Sequence, residues 1–586
     1  MELAEYTINN QKDYILEELY KRKPDVLCFS CYIWNIDYVT DIAREYKKLC
    51  PSVPIWVGGP EVSYEVEAFL RENPYIDGVM IGEGEDTFRE LCGYYAHKRK
   101  LSDIAGIAFR KNSTGNSTSV NNIGGNKAGE IVFTSPRPIK NMSEIPFCYD
   151  TLDDFSNRII YYESSRGCPF SCSYCLSSVD KTLRFRDTRI VKRELKFFID
   201  QKVPQIKFVD RTFNCNHAHA MELWRFIKAN DNGVTNFHFE ISADLLNQEE
   251  LELISDMRPG LIQLEIGVQS TNEVTIKEIH RTMKLERLKE VVRLIQSGNN
   301  IHEHLDLIAG LPYEDYDSFG RSFDEIYELK PNQLQLGFLK VLKGSYMFEH
   351  AAEYGIVYHD KPPYEVMSTK WLSFDDVIKI KRVEDMLEVY YNSGQFEITM
   401  KLMECIFDSA FEFFQELGDF YEANGYFGMS HSRIRRCEIL LEFLALYLHG
   451  CDSDDMASVG LSGNAGDRDN TDFDENAIDR DNTDFDENAQ IYKMIQESLI
   501  FDLYYRENCK SRPVWATDIG SFKHMTHAYC KNGKLSHVEP FHYIFPDKHT
   551  RKLDELPKYH KEPVWALFHY DMRDPLDHQA LVEYVE

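Results

Sequence analysis

The chain has 586 residues, 43% of them hydrophobic, and a formal net charge of −30, which is length enough for roughly three or four domains. That acidic balance argues against a phosphate backbone as the main partner, so nucleic acid is left out of the expected partners. The longest apolar stretch, "EILLEFLALYLHG" (438–450), is broken by Glu442 and falls short of the roughly 18–20 residues that span a bilayer. The opening "MELAEYTINNQKDY" has acids where a secretory signal needs bases. A cytoplasmic protein with no membrane partner is expected. The fourteen cysteines lack the even spacing of a disulfide framework, so most read as small buried apolar residues.

From residue 2 to about 111, short apolar runs alternate with amphipathic segments. The strand-like runs are "ELAEYTI", "DVLCFSCY", "PIWVGG", "DGVMIG" and "IAGIAF"; "NIDYVTDIAREYKKL" and "EDTFRELCGYYAHKRK" read as helices between them. Such alternation predicts a doubly wound parallel sheet covered on both faces. Cys28 and Cys31 form a C-x2-C, but within a strand rather than at a helix start, which argues against a redox pair. Gly58 and Gly59 follow one strand, and Gly82 and Gly84 follow the next. Glycine at such positions lets a ligand approach the backbone, and it is also common in any doubly wound domain.

Residues 112–157 read as a linker with connecting strands, opening on the polar tract "NSTGNSTSVNNIGGNKAG" (112–129). A second alternating region covers 158–345, with strands predicted at "RIIYYES", "QIKFVD", "FHFEIS", "LIQLEIGV", "HLDLIAGL" and "QLQLGFLK". Six βα-type units of this kind predict a partial (β/α)6 barrel, whose chemistry belongs in the loops after the strands. After the first strand comes "CPFSCSYC", which places Cys168, Cys172 and Cys175 at C-x3-C-x2-C. A closed structural metal site takes four protein ligands, and this stretch offers three. Buried apolar cysteines or an incomplete zinc site are the plain alternatives.

The C-x3-C-x2-C spacing, with Tyr174 just before the last cysteine, resembles the radical S-adenosylmethionine (SAM) superfamily. The resemblance implies a four-iron four-sulfur cluster on Cys168, Cys172 and Cys175, with the open iron chelated by SAM. Electron transfer from a donor such as flavodoxin or ferredoxin would then release a 5′-deoxyadenosyl radical. Further motifs fall in family order along the barrel. Asp210 in "FVDRTFN" is similar to a contact of the SAM amino group, and Gln269 and Ser270 in "EIGVQS" to residues near the ribose or methionyl part. Arg281 is similar to an arginine that pairs with the SAM carboxylate; Ile308 and Gly310 in "DLIAGLPYED" lie where that family lines the adenine. Each of these alone also reads as an ordinary strand end or helix cap.

Placed directly before such a barrel, the first 111 residues resemble the cobalamin-binding domain of a large radical SAM subgroup. The resemblance implies cobalamin contacts at Ser30, Gly58, Gly59, Glu61, Gly82, Glu83 and Gly84. Two departures stand against binding. The Asp-x-His-x-x-Gly loop that supplies a histidine to cobalt has no full match, and "MELAEYTI" looks like the family's second strand, so the first βα unit is expected to be missing. The expectation is that in-frame coding sequence upstream supplies that unit.

Residues 346–586 resemble the C-terminal extension of a radical SAM subgroup of unknown activity, mainly helical with short strands. Tyr504, Tyr505 and Arg506 in "FDLYYREN" are candidates to shape a substrate pocket, with core packing the better reading for the tyrosines. His524, His527 and Cys530 could form a second metal site or an ordinary helix surface. Within this region, "DRDNTDFDENAI" (467–478) and "DRDNTDFDENAQ" (479–490) form a tandem duplication. It lacks the glycine of a calcium loop, so 451–490 reads as a disordered acidic insertion.

The combined expectation is a radical SAM enzyme, cobalamin-dependent and methyl-transferring if the first domain binds, on an unknown substrate. The alternatives are another radical modification over a vestigial domain, or a non-catalytic cluster-binding scaffold.

Overall fold

The structure is a computed structural model that describes residues 1–586 apart from 112–129, 150, 153–154, 156–157, 180, 450–482, 511, 531–534, 547–549, 551–552, 554, 575 and 586. The polar tract 112–129 and most of the acidic insertion therefore lie outside the described residues. Residues 483–490 do not: they open the helix Thr483–Arg506.

The N-terminal sheet has five strands in sequence order: β1 (Leu27–Ser30), β2 (Ile55–Gly58), β3 (Gly78–Met80), β4 (Ile107–Arg110) and β5 (Ile131–Phe133). β1 to β3 run parallel, whereas β4 and β5 add antiparallel. This corrects the wholly parallel expectation, and the path of the chain gives the reason. The helix Gly84–Tyr95 carries the chain away from the end of β3, and residues 96–106 bring it back to that same end. Ile81 N there donates to Gly106 O at 2.8 Å, and Ile107 enters opposite Met80. The predicted strand "ELAEYTI" is also corrected. Residues 1–7 are irregular and β1 forms the edge of the sheet, so no neighbouring strand pairs with that segment. Apolar stripes seat the helices, as in Ile36–Leu49, where Ile36, Val39, Ile42, Ala43 and Tyr46 are buried at helical spacing.

All six predicted barrel strands form. They are β6 (Ile160–Tyr162), β7 (Gln205–Phe208), β8 (Asn236–Ile241), β9 (Ile262–Gln269), β10 (His302–Ala309) and β11 (Gln333–Phe338). They make one parallel sheet in sequence order. β9 shows the logic. Ile262, Leu264, Ile266 and Val268 are buried against the helices, each burial worth about 1.5–3 kcal/mol. Gln263, Glu265, Gly267 and Gln269 alternate with them on the lumen side. Parallel strands covered on both faces are usually continuous apolar runs, so a polar lumen marks the inner face as kept for something other than packing.

The C-terminal region is helical around Phe374–Leu387, Glu397–Ile406, Ala410–Ala423 and Arg433–His449. It closes with an antiparallel three-stranded sheet of Ser536–Phe541, Val564–Arg573 and Ala580–Val585. It seats on the barrel through Asp324, which accepts from Ser409 Oγ at 2.7 Å and from Phe411 N at 2.8 Å. Buried Asp502 caps Glu397–Ile406 through Ile398 N and Thr399 N, both at 2.9 Å. Tyr504 and Tyr505 are core residues, as expected, while Arg506 is exposed. Among the described residues no helix is long and apolar enough to cross a membrane.

Candidate functional site

The cysteine loop leaves β6 through a two-rung antiparallel ladder, Ser165–Arg166 with Arg184–Phe185. Gly167 bends it at φ +85°, where an added Cβ would lie 2.5 Å from the Thr182 carbonyl oxygen. Ser173 pins the tip, donating its N–H to Ile279 O and accepting from Met347 N, both at 2.9 Å. Cys168, Cys172 and Cys175 then line one cavity with Phe170, Tyr174, Ser177, Arg211, Thr212, Glu240, Glu265, Gly267, Gln269, Arg281 and Asp306. Burial pushes the Cys168 thiol up. Among the described residues no three His, Cys, Asp or Glu side chains close in as they would on a single ion. All three thiols border the same cavity, so one group bound there could take all three as ligands.

Two residues of the cavity lining also carry buried polar atoms without partners. Gln269 sits at φ +76° beyond the bulge at Gly267/Gln269, and its buried Oε1 has no hydrogen-bond partner. Arg281 donates to Tyr174 Oη at 3.2 Å and to Gly267 O, and its Nη1 lies 3.9 Å from Cys172 Sγ, while its Nε is buried and unpartnered. Unpaired buried polar atoms are costly, so a site that keeps them is built to receive partners.

Other predicted residues face elsewhere. Asp210, fully buried, accepts from Ser164 N at 2.7 Å, Ser164 Oγ at 2.5 Å and Ser165 Oγ at 2.7 Å. It fixes the chain entering the cysteine loop and does not line the cavity. Burial pushes its carboxyl up to about 6. Ser270 donates to Glu314 Oε1 at 2.6 Å and accepts from Asn272 N, which turns it away as well. Ile308 shares its strand face with Asp306 but packs, half-buried, against the core outside the cavity lining, and Gly310, at φ +86°, is covered by Val366, whose Cγ1 would lie 2.7 Å from an added Cβ. The second-metal reading is likewise corrected. His524, His527 and Cys530 form no metal-holding group among the described residues, and His524 packs edge-on against Trp565.

Sequence reading missed the lumen wall. Glu265 contacts Lys207 Nζ and His238 Nε2, both at 2.9 Å, and Asp306 contacts His304 Nε2 at 3.1 Å. The His238 contact, with Lys207, holds Glu265 down to about 2 against burial. Burial, then repulsion from Glu265, pushes neighbouring Glu240 up to about 7. The signal was present in the polar alternation of "IQLEIGVQ" and "HEHLDLIA", which marks one polar face per strand.

In the N-terminal domain the predicted residues divide. Gly82 and Gly84 have open space where a Cβ would go, and Ser30 is exposed at the end of β1. Gly58 borders Met80. Gly59, at φ +117°, is demanded by packing, since a Cβ there would lie 2.4 Å from Cys31 O. Glu61 accepts from Tyr364 Oη, and Glu83 accepts from Arg184 Nη1 at 2.6 Å and from Lys140 N at 3.0 Å. An exposed, stacked pair, Tyr32 and Trp34 with ring centroids 4.5 Å apart, stands beside Ser30. Cys31 is buried and its thiol pushed up to about 12 by burial, unlike a reactive redox cysteine.

These features define an α/β protein whose barrel holds a three-cysteine loop over a polar lumen, with a five-stranded α/β domain contacting the loop through Glu83 and Glu85. Residues 162–326 match the radical SAM superfamily, residues 2–92 the B12 binding domain, and residues 352–579 a protein family of unknown function, DUF4080. The chain thus carries a radical SAM domain, with a B12-binding domain before it and a DUF4080 region after it. It is 28% identical over 330 residues to the cobalamin-dependent radical SAM methyltransferase TokK of Streptomyces tokunonensis, covering 52% of this chain and 45% of TokK. It is 23% identical over 371 residues to the uncharacterized methyltransferase PH0819 of Pyrococcus horikoshii, covering 62% and 75%. The chain spans about half the length of most of the curated relatives it matches. Among solved structures, the cobalamin-dependent SAM radical enzyme OxsB shares the fold, at 15% identity and a TM-score of 0.50 over 85% of this chain and 74% of that one.

Proposed function

We propose that this chain is a cytoplasmic radical SAM enzyme of the cobalamin-dependent methyltransferase type, acting on a substrate still to be found. The observation that carries the reading is the meeting of Cys168, Cys172 and Cys175 on one cavity that Gln269 and Arg281 also line, each with a buried polar atom that has no partner. A four-iron cluster bound there would supply one-electron reduction of SAM to a 5′-deoxyadenosyl radical, with a flavodoxin or ferredoxin as electron source. The three cysteines would hold the cluster. Arg281 offers a guanidinium suited to the SAM carboxylate, Gln269 offers an acceptor, and Tyr174 orients Arg281. Asp210 positions the loop from behind.

The open backbone at Gly82 and Gly84 would be where cobalamin is held, and that group would supply a methyl carrier. A second reading, a vestigial domain with another radical outcome, is favoured by Gly59, Glu61 and Glu83 serving internal contacts. Anaerobic reconstitution separates the readings. Iron uptake with reductant-dependent 5′-deoxyadenosine is the expected result, and retained corrinoid absorbance marks the methyltransferase branch. An iron-free protein that leaves SAM intact overturns both.

A further inference from the structure

The two arginines of the ladder that closes the cysteine loop, one on each rung-bearing segment, reach out of the barrel to one loop of the N-terminal domain. Arg184 Nη1 donates to Glu83 Oε1 at 2.6 Å, and Arg166 Nη2 donates to Glu85 Oε1 at 2.6 Å, with Arg166 Nη1 3.3 Å from Glu83 Oε1. Glu83 Oε2 is held by Lys140 N, whose carbonyl in turn accepts from Arg184 at 3.0 Å. Arg166 also grips Glu163 of its own module at 2.9 Å. Arg184 is 14% exposed and Glu83 23%. Such charges are shielded from water, and their charge-assisted bonds outweigh those of exposed pairs, which contribute little. Arg166 stands two residues before Cys168, and Gly167 between them runs so close to Thr182 that an added Cβ would lie 2.5 Å from its carbonyl oxygen. The segment that these carboxylates hold therefore leads directly into the first thiol.

We propose that Glu83 and Glu85 form an electrostatic latch with Arg166 and Arg184 that sets the shape of the cysteine loop. The N-terminal domain thereby becomes a positioning element for the cluster site. This rests on the cluster reading above for its meaning, though not for its test. Because Gly82 and Gly84 flank Glu83, the loop that offers backbone to a ligand is also the loop that holds the latch.

The test uses the full chain with Glu83→Gln, Glu85→Gln, the double variant and Glu163→Gln, which removes only the partner within the barrel. In metal-free protein, amide hydrogen exchange across 165–175 is expected to quicken about tenfold or more in the double variant. Exchange in β8 and β9 should stay as in the wild type, and Glu163→Gln should change 165–175 less. In reconstituted protein, the double variant should keep its iron, bind SAM about 5–10-fold more weakly, and show an altered electron paramagnetic resonance response to SAM. Arg166→Lys, which keeps the charge and loses the fork, should fall between. It stands in with the single variants if the double variant does not fold. Wild-type exchange and SAM affinity in these variants overturn the latch. A wild-type chain that takes up no iron overturns the cluster reading, while the exchange experiment still decides the latch.

Discussion

The barrel and the N-terminal domain both present loops at the C-terminal ends of parallel strands, yet they use them differently. In the barrel, the cysteines, Gln269 and Arg281 line a cavity, and Gln269 Oε1 and Arg281 Nε are buried beside it without partners. In the N-terminal domain, Gly59 answers to the Cys31 carbonyl, Glu61 to Tyr364, and Glu83 to Arg184 and Lys140. Three closely spaced cysteines have few structural uses in one loop, so their presence points to a ligand. Glycines and glutamates have many, so the same inference drawn from them has to survive the contacts they make.

The comparison breaks most sharply at the cysteines. Cys168→Ala, Cys172→Ala or Cys175→Ala should each remove cluster iron and bring 5′-deoxyadenosine formation to background, while circular dichroism shows an intact fold. Retained turnover in all three would leave the barrel with no better claim to chemistry than the domain before it. Arg281→Lys comes next. It keeps the charge but loses the fork that reaches Tyr174 and Gly267, and SAM affinity measured by equilibrium dialysis should fall about 10–100-fold.

Two glycines sharpen the contrast from the other side. Gly59→Ala forces a Cβ to within 2.4 Å of a backbone oxygen at φ +117°, so chemical denaturation should show a loss of about 2–4 kcal/mol. Gly84→Ala meets nothing within 4 Å at the start of the helix Gly84–Tyr95, and stability should stay within about 0.5 kcal/mol of the wild type. If the domain holds a corrinoid on that loop, Gly84→Ala loses corrinoid while keeping its fold. Unchanged corrinoid content would move the ligand elsewhere.

The barrel strands were legible because each carries an apolar half that must be buried, and the cysteine loop because its spacing is rare. Asp210 and Ser270 misled for a shared reason. They sit beside ligand-bearing motifs, but their partners, Ser164 and Glu314, come from segments distant in sequence, and spacing cannot show whom a side chain will meet. The antiparallel β4 escaped because an apolar run carries no direction. Glu240 escaped because a charged residue in a strand reads as a solvent face until the sheet is seen to curve around it.

The smallest expected effect lies within the lumen, where two neighbouring carboxyls run in opposite senses. Glu240 is pushed up to about 7, first by burial and then by Glu265. A raised folded value means stability present below the ordinary glutamate range near 4.3 and lost as pH rises toward 7. Glu265, held down to about 2 by His238 and Lys207, contributes stability above that ordinary range and loses it as pH falls toward 2. Glu240→Gln keeps the shape and removes the charge, so it should flatten the decline between pH 4.5 and 7 and raise the thermal midpoint at pH 8 by about 1–2 °C. Glu265→Gln should instead lower stability at neutral pH by leaving Lys207 and His238 without their shared partner. Thermal melts of the metal-free chain across pH 4–8 check both. If the two variants shift together, the lumen charges act as one solvated patch rather than as a partnered site, and the barrel loses part of what sets it apart from the N-terminal domain.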